Sequence, residues 1–133
     1  MYKVTKEIRF CYGHRLLRYT GKCRHLHGHN AKVEIELSAK RLDPRGMVVD
    51  FQEITDVIRS WIDERIDHKM LLNRLDPYVP FLKRQREPIV LLSENPTAEV
   101  IAQMIFRYAK KKGFPVTEVR LWETPSSFAS YRG

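Results

Sequence analysis

Apolar and polar side chains alternate in two stretches near the start of the chain. The apolar positions are Tyr2, Val4, Ile8, Phe10 and Tyr12 in the first stretch, which Lys6 interrupts, and Val33, Ile35 and Leu37 in the second. A period of two is typical of a β-strand with one buried face. The two stretches therefore predict a long antiparallel hairpin, and the connection between its strands contains a cluster of histidines.

Two later stretches have the spacing of amphipathic helices. The first is predicted to begin at Asp50, with Glu53 as its capping-box partner. The second is predicted to follow Asn95-Pro96, because proline is tolerated in a first turn, and to stop before Gly113. The apolar faces comprise Phe51, Ile54, Val57, Ile58, Trp61, Ile62 and Ile66 in the first helix, and Val100, Ile101, Met104, Ile105 and Tyr108 in the second.

Residues 116–123 and 128–131 complete the pattern as two further strands. The element order is then ββααββ, which predicts one α+β domain over residues 1–133, with an antiparallel sheet and two helices on one face. Residues 73–94 contain Pro77, Pro80 and Pro88 and a charged segment, and their pattern predicts no element.

Composition narrows the class of protein. The chain has 133 residues, and 43% of them are hydrophobic, which is enough for an ordinary core and argues against disorder. No apolar run approaches the ~20 residues that span a bilayer, and the N-terminus does not resemble a signal peptide. We therefore expect a cytoplasmic protein with reduced cysteines. The alternative for the cysteines is a Cys11–Cys23 disulfide.

The formal net charge of +8 raises the question of an anionic partner, either nucleic acid or a phosphorylated small molecule. The basic residues are scattered, however, and neither a zinc-finger spacing nor an RNA-binding sheet signature is present. The lysine run at 110–112 falls where a helix should end, where cations are favourable. Charge alone does not support a general nucleic-acid-binding protein.

The segment CRHLHGHN, from Cys23 to Asn30, carries the most distinctive chemistry. In an extended segment His27 and His29 point the same way, and Gly28 leaves the backbone between them uncrowded. His14, on the partner strand, could supply a third imidazole. Three neutral ligands with an open position are typical of a catalytic zinc site, whereas structural sites usually have four ligands. The alternative is that these histidines are ordinary surface or core residues.

Two neighbours of these histidines have more than one interpretation. His25 lies two residues before His27 and could share its face, so the spacing does not exclude it as a ligand. Cys23 could be a fourth zinc ligand, which would close the site to substrate. It could instead be a thiolate beside an open site, where it would abstract a proton.

Three acidic or basic residues further along the chain are also candidates. Asp67 and His68 follow the first helix and could form a proton relay if they meet the thiol in space. The alternative is a histidine favoured at a helix C-terminus. Glu123 continues the apolar stripe of Val119 and Leu121, where a carboxylate is costly unless a ligand with N–H donors satisfies it. The alternative is a solvated residue just beyond the strand.

Six segments together resemble one family of enzymes. FCYGH, CRHLHGHN, GMVVDF, IDHKMLLN, ENPTAEV and RLWETP occur in the order found in the 6-pyruvoyltetrahydropterin synthase / 6-carboxytetrahydropterin synthase (QueD) family. The resemblance covers nearly the whole chain and is weakest over residues 75–92. It implies the tunnelling fold, or T-fold, in which sheets of ββααββ subunits join into a barrel. Trimers typically stack into a homohexamer with active sites between subunits.

The resemblance also implies roles for individual residues. Cys23 resembles a catalytic base, and Asp67 and His68 resemble its partner dyad. No ligand role is implied for His25. The remaining roles are zinc ligation by His14, His27 and His29, recognition of the pterin by Glu123, and help in holding the pterin from Thr97 and Glu99.

The implied substrate is 7,8-dihydroneopterin triphosphate. In the QueD branch, on the path to queuosine, the products are 6-carboxy-5,6,7,8-tetrahydropterin, acetaldehyde and triphosphate. In the other branch the side chain becomes pyruvoyl. The short gap between Cys23 and His27 resembles the QueD branch, whereas Tyr12-Gly13 departs from the small residues usual at both positions. The alternative outside the enzymes is a basic nucleic-acid-binding protein with structural zinc.

Overall fold

A computed structural model describes all residues 1–133, and its central feature is a six-stranded sheet. The strands are β1 (Tyr2–His14), β2 (His27–Ala39), β3 (Lys69–Asn73), β4 (Ile89–Leu92), β5 (Val116–Thr124) and β6 (Ser127–Tyr131). Their order across the sheet is β4-β3-β1-β2-β5-β6. The two outermost strands, β4 and β6, each have one unpaired edge.

The predicted hairpin is confirmed. β1 and β2 pair antiparallel from Tyr2 opposite Ala39 to His14 opposite His27. The predicted last two strands are also confirmed, since β5 pairs antiparallel with β2 and with β6.

The predicted antiparallel sheet needs a correction in the region that the sequence left unassigned. β3 runs parallel to β1, and β4 runs parallel to β3, so the sheet is mixed. A short helix connects these two strands. β3 and β4 are only 5 and 4 residues long. They form strands because β3 pairs with the edge of β1 that β2 leaves free, and β4 pairs in turn with β3.

The helices are α1 (Phe51–Ile54), α2 (Ser60–Arg65), α3 (Val79–Arg84) and α4 (Ala98–Lys111). A π-helical turn, Thr55–Arg59, joins α1 to α2 into one helical segment over residues 51–65.

Both helix starts have side-chain caps. Asp50 caps α1 by accepting the Gln52 N–H at 2.9 Å. Thr97, rather than Asn95, caps α4 by accepting the Val100 N–H at 3.2 Å. Each cap satisfies a backbone donor that the first helical turn leaves free.

One hydrophobic core joins the predicted helices to one face of the sheet. Trp61 and Tyr108 stack at 4.3 Å between ring centroids, so the helical segment 51–65 packs against α4. No helix is both long and apolar enough to span a membrane. The side chains at the centre of the core include Ile8, Val33, Ile35, Leu37, Ile54, Ile58, Ile62, Ile101, Ile105, Val119 and Leu121.

Candidate active site

Three histidines converge where the hairpin strands meet the connecting loop. His14 lies opposite His27, and His29 lies opposite Tyr12, so the three imidazoles share the face of the sheet that carries the helices. Their ring centroids are 4.6–5.1 Å apart. One nitrogen of each ring lies within 4.8 Å of the other two.

The Nε2 atoms of these rings suit a metal ion. Those of His14, His27 and His29 are buried and have no hydrogen-bond partner. Buried polar atoms almost always have a hydrogen-bond partner or a ligand. Three buried nitrogens without a partner, close together, therefore indicate that they bind one common ion. The donor set of three imidazoles therefore fits a divalent transition metal such as zinc.

Backbone carbonyl groups hold two of the rings in the orientation that a metal needs. His14 Nδ1 donates to the Pro96 carbonyl at 2.6 Å, and His27 Nδ1 donates to the His25 carbonyl at 2.7 Å. Each contact places the proton on Nδ1 and leaves the Nε2 lone pair free. His25 thus contributes its carbonyl, while its side chain is exposed. Sequence reasoning missed both carbonyl groups, because a backbone acceptor has no signature in the side chains.

Burial also favours the neutral, ligating form of the imidazoles. It is the main cause that lowers the pKa of His14, and the two neighbouring imidazoles lower this pKa further, whereas the Pro96 carbonyl and Glu123 oppose the shift. Burial lowers the pKa of His29 in the same way. A neutral ring keeps its lone pair available for a metal.

Glu123 reaches this cluster from β5. Its Oε1 accepts a hydrogen bond from the Tyr12 hydroxyl at 3.2 Å and lies 3.8 Å from His14 Nε2. The pairing of β5 with β6 is irregular between Trp122 and Thr124, which leaves Glu123 outside the ladder. The side chain keeps 26% of its surface exposed, so the carboxylate can still meet a ligand.

Both Glu123 and Cys23 influence the hydroxyl of Tyr12. Burial is the main cause that raises the pKa of Tyr12, and the Coulombic effects of Glu123 and then of Cys23 add to it. The Cys23 thiol therefore contributes to the electrostatic environment of the Tyr12 hydroxyl. Cys23 is free and lies in a 3₁₀ turn, Lys22–Arg24, but it does not belong to the histidine cluster. This placement favours a thiol beside the cluster over a fourth ligand.

Asp67 and His68 lie elsewhere in the chain. Asp67 Oδ2 and His68 Nδ1 are 2.9 Å apart, and the pair binds the backbone of Cys11 through Asp67 Oδ1 at 2.9 Å and the His68 N–H at 2.7 Å. The thiol grouped with this dyad is that of Cys11, not Cys23. Cys11 alternates with Tyr12 along β1 and so faces away from the metal cluster. Within one chain, the predicted meeting of the dyad with Cys23 does not occur.

Comparison with known proteins identifies the family. The 6-pyruvoyl tetrahydropterin synthase family model matches residues 3–133. The chain belongs to this family.

Individual proteins agree with the family assignment. A Rickettsia bellii protein named 6-carboxy-5,6,7,8-tetrahydropterin synthase is 37% identical over 96% of this chain and 98% of its own length. An uncharacterized protein from Wolinella succinogenes has a solved structure with a TM-score of 0.82 and 27% identity, covering 99% of this chain and 98% of its own. The solved structure of the Caenorhabditis elegans 6-pyruvoyl tetrahydropterin synthase has a TM-score of 0.73 and 26% sequence identity. The match covers 99% of this chain and 95% of the other. These likenesses confirm the T-fold that the sequence predicts.

The remaining predicted residues lie at the start of α4. Thr97 is its N-cap, and Glu99 is exposed in its first turn. Neither side chain bonds to the histidines, whereas the carbonyl of neighbouring Pro96 does. The link between this helix start and the cluster is thus made by the backbone.

Proposed function

We propose that this protein is a zinc-dependent 6-carboxy-5,6,7,8-tetrahydropterin synthase, a lyase acting on 7,8-dihydroneopterin triphosphate. The products would be 6-carboxytetrahydropterin, acetaldehyde and triphosphate, on the cytoplasmic path to queuosine. The observation that carries the proposal is the convergence of three buried, unpartnered Nε2 atoms. It occurs in a chain with a 37% identical relative that is named for this activity.

His14, His27 and His29 would hold the zinc ion through Nε2. Three neutral protein ligands leave a coordination position open, as catalytic zinc sites require. A zinc ion bound there would make the carbon–hydrogen and oxygen–hydrogen bonds next to the substrate's side-chain hydroxyl groups more acidic.

The protein's own groups would bind the pterin and move the protons. Glu123 would accept the paired N–H donors of the amino-pyrimidinone edge, and its partial exposure supports this role. Cys23, near the cluster, would act as the base that accepts a proton from the substrate's side chain. Thr97 and Glu99 are proposed to hold the pterin at the entrance of the site.

The catalytic arrangement is proposed to require two subunits. Cys23 and the histidine cluster lie on one side of β1, while Asp67 and His68 group with Cys11 on the other side. The dyad can therefore serve only the Cys23 of a neighbouring subunit. The unpaired edges of β4 and β6 support this proposal, because sheets that join side by side leave no free edges. A homohexamer built as a dimer of trimers is the proposed assembly.

A product assay tests the function directly. The zinc-loaded protein is incubated with 7,8-dihydroneopterin triphosphate, and the pterin product is identified by mass. The carboxy product together with acetaldehyde is the expected result. A pyruvoyl product would assign the protein to the other branch of the family. Unchanged substrate, with zinc and the oligomer intact, would overturn the proposal.

A further inference from the structure

A basic cleft is lined mainly by the loop between β1 and β2, whose two ends are the cluster residues His14 and His27. Its volume is about 580 Å³, within the range of roughly 300–1,000 Å³ typical of small-ligand sites. Nine residues line it, and none of them carries a carboxylate. Its basic residues are Arg15, Arg18, Arg24 and His25.

Arg15 and Arg24 have fixed orientations and unused donors. Arg15 Nε and Nη2 donate to the two carboxylate oxygens of buried Asp76 at 2.6 and 2.8 Å, and Nη1 donates to the Arg24 carbonyl at 3.0 Å. Arg24 Nη1 donates to the carbonyl groups of Thr20 and Gly21 at 2.9 and 3.2 Å. The Nε and Nη2 groups of Arg24 have no protein acceptor. These anchored guanidinium groups can therefore bind an anion without being ordered first.

Arg18 is the unpaired cation of the cleft. Its guanidinium group makes no hydrogen bond or ion pair, and its backbone has a φ of +56°, which is uncommon for residues other than glycine. The side chain of Asn95 holds this conformation by accepting the Leu17 N–H at 3.1 Å and donating to the Leu17 carbonyl at 2.9 Å. A strained residue held in place from outside its own loop is a common mark of a functional site.

The cleft and the metal cluster share the same stretch of backbone. Arg15 directly follows His14, and the His25 carbonyl that orients His27 belongs to a residue lining the cleft. The loop that lines the cleft therefore begins and ends at two residues of the cluster, His14 and His27. Since Arg15 is neutralised by Asp76, the net positive charge comes from Arg18 and Arg24.

We infer that this cleft binds the triphosphate group of the substrate. The inference rests on the proposed function, because in 7,8-dihydroneopterin triphosphate the phosphates are attached to the end of the side chain whose hydroxyl groups would meet the metal. Guanidinium groups are suited to phosphate oxygens by charge and by their forked donors. The cleft would hold the leaving triphosphate while the pterin stays at Glu123.

Calorimetric titration with inorganic tripolyphosphate tests the cleft without requiring turnover. We expect Arg18→Ala and Arg24→Ala, in the zinc-loaded full-length protein, each to weaken tripolyphosphate binding about 10-fold, as for the loss of one charge-assisted hydrogen bond. The KM for the triphosphate substrate should rise similarly, while the affinity for unphosphorylated dihydroneopterin stays unchanged. Lys111→Ala is the matched control, since it removes one exposed positive charge far along the chain at the end of α4.

Three results would overturn the inference. They are unchanged affinity in both arginine variants, an equal loss in Lys111→Ala, and tighter binding of a single-stranded oligonucleotide than of tripolyphosphate at the same arginines. Arg18 has no side-chain partner to lose, so its variant decides the matter if Arg24→Ala fails to fold. Tripolyphosphate binding without turnover by the unmodified protein would overturn the proposed function and leave the cleft as a polyphosphate site. If the unmodified protein is active and both arginine variants bind tripolyphosphate as tightly as it does, only the assignment of the cleft is overturned.

Discussion

Asp67 Oδ1 accepts a hydrogen bond from the backbone N–H of Cys11 at 2.9 Å, although 56 positions separate the two residues. This contact attaches the Asp67–His68 pair to the edge of β1 and places it with the Cys11 thiol. His14 and Tyr12 lie on the opposite face of the same strand. The dyad is thus held by hydrogen bonds to the backbone of β1, away from the metal cluster of its own chain.

This separation predicts complementation between inactive variants. Cys23→Ala and His68→Ala should each be inactive alone, with a loss of about 10²–10⁴-fold for a missing acid–base group. Unfolded together and refolded as mixed oligomers, they should regain roughly a quarter of the unmodified activity, because random pairing across symmetric interfaces restores some complete sites. Activity of the refolded mixture is the measurement.

The control for complementation refolds Cys23→Ala with Cys23→Ala,His68→Ala, a mixture that has no intact Cys23. No activity should return there. No activity in the first mixture, despite proven mixing, would place the whole catalytic set within one chain. Activity in the control mixture would show that Cys23 is not required. Cys11→Ser tests the other thiol and should retain activity, because the contacts with Asp67 and His68 use the backbone of Cys11.

The metal cluster predicts a sharp difference between adjacent histidines. His27→Ala removes an Nε2 ligand and should reduce bound zinc, measured by elemental analysis after dialysis, by about 10-fold or more. His25→Ala should keep the metal, since only its carbonyl contacts His27. Equal zinc content in the two variants would contradict the ligand assignment. Circular dichroism would confirm that both remain folded.

A substitution at Glu123 is predicted to weaken pterin binding without affecting metal binding. Glu123→Gln replaces two acceptor oxygens with one acceptor and one donor, so a pterin N–H would face another donor. We expect the Kd for a dihydropterin to rise about 10-fold or more while the zinc content is unchanged. Pterin fluorescence gives the affinity. Glu64→Gln, at an exposed position in α2, is the matched control and should bind pterin normally.

A substitution at Tyr12, which donates to Glu123, is predicted not to weaken pterin binding. Tyr12→Phe removes the hydroxyl that donates to Glu123 at 3.2 Å and so frees that oxygen for a ligand. Pterin affinity should be equal or higher, with a stability loss of about 1 kcal/mol for one hydrogen bond. A marked loss of pterin affinity in a folded variant would show that the hydroxyl itself contacts the ligand.

Glu118 predicts a pH dependence of stability. Burial alone would raise its pKa, but hydrogen bonds from Arg120 and Arg132 lower it below the ordinary value of 4.5. A carboxylate with a depressed folded-state pKa stabilises the protein above its unfolded-state pKa, and this contribution is lost as the pH falls through the folded-state value. Glu118→Gln should therefore lower the free energy of unfolding by about 1–3 kcal/mol at pH 7.

Denaturant unfolding at several pH values measures this effect. The difference between Glu118→Gln and the unmodified protein should shrink as the pH falls below 4.5, since the unmodified side chain becomes neutral as well. Glu64→Gln, which has no ion-pair partner, should show no such trend. A constant difference at all pH values would assign the effect to packing.

Local patterns in the sequence were enough for the hairpin, the two main helices and the three histidines. Strand and helix periods, caps and an HGH triplet on an extended segment are properties of neighbouring residues. Once the hairpin is placed, alternation alone brings His27 and His29 to one face and His14 opposite them. The family segments added the T-fold, which the solved structures confirm.

Only the tertiary structure decided the features that depend on distant partners. β3 and β4 are too short to be recognised alone, and they become strands because β3 pairs with β1 and β4 pairs with β3. The carbonyl groups that orient His14 and His27 have no side-chain signature. Cys11 lies with the dyad because successive side chains of β1 point to opposite faces, and the fold brings residues 67 and 68 to the face that carries Cys11. Cys23 lies near the cluster because its carbonyl accepts the Leu16 N–H at 2.9 Å, just beyond the end of β1.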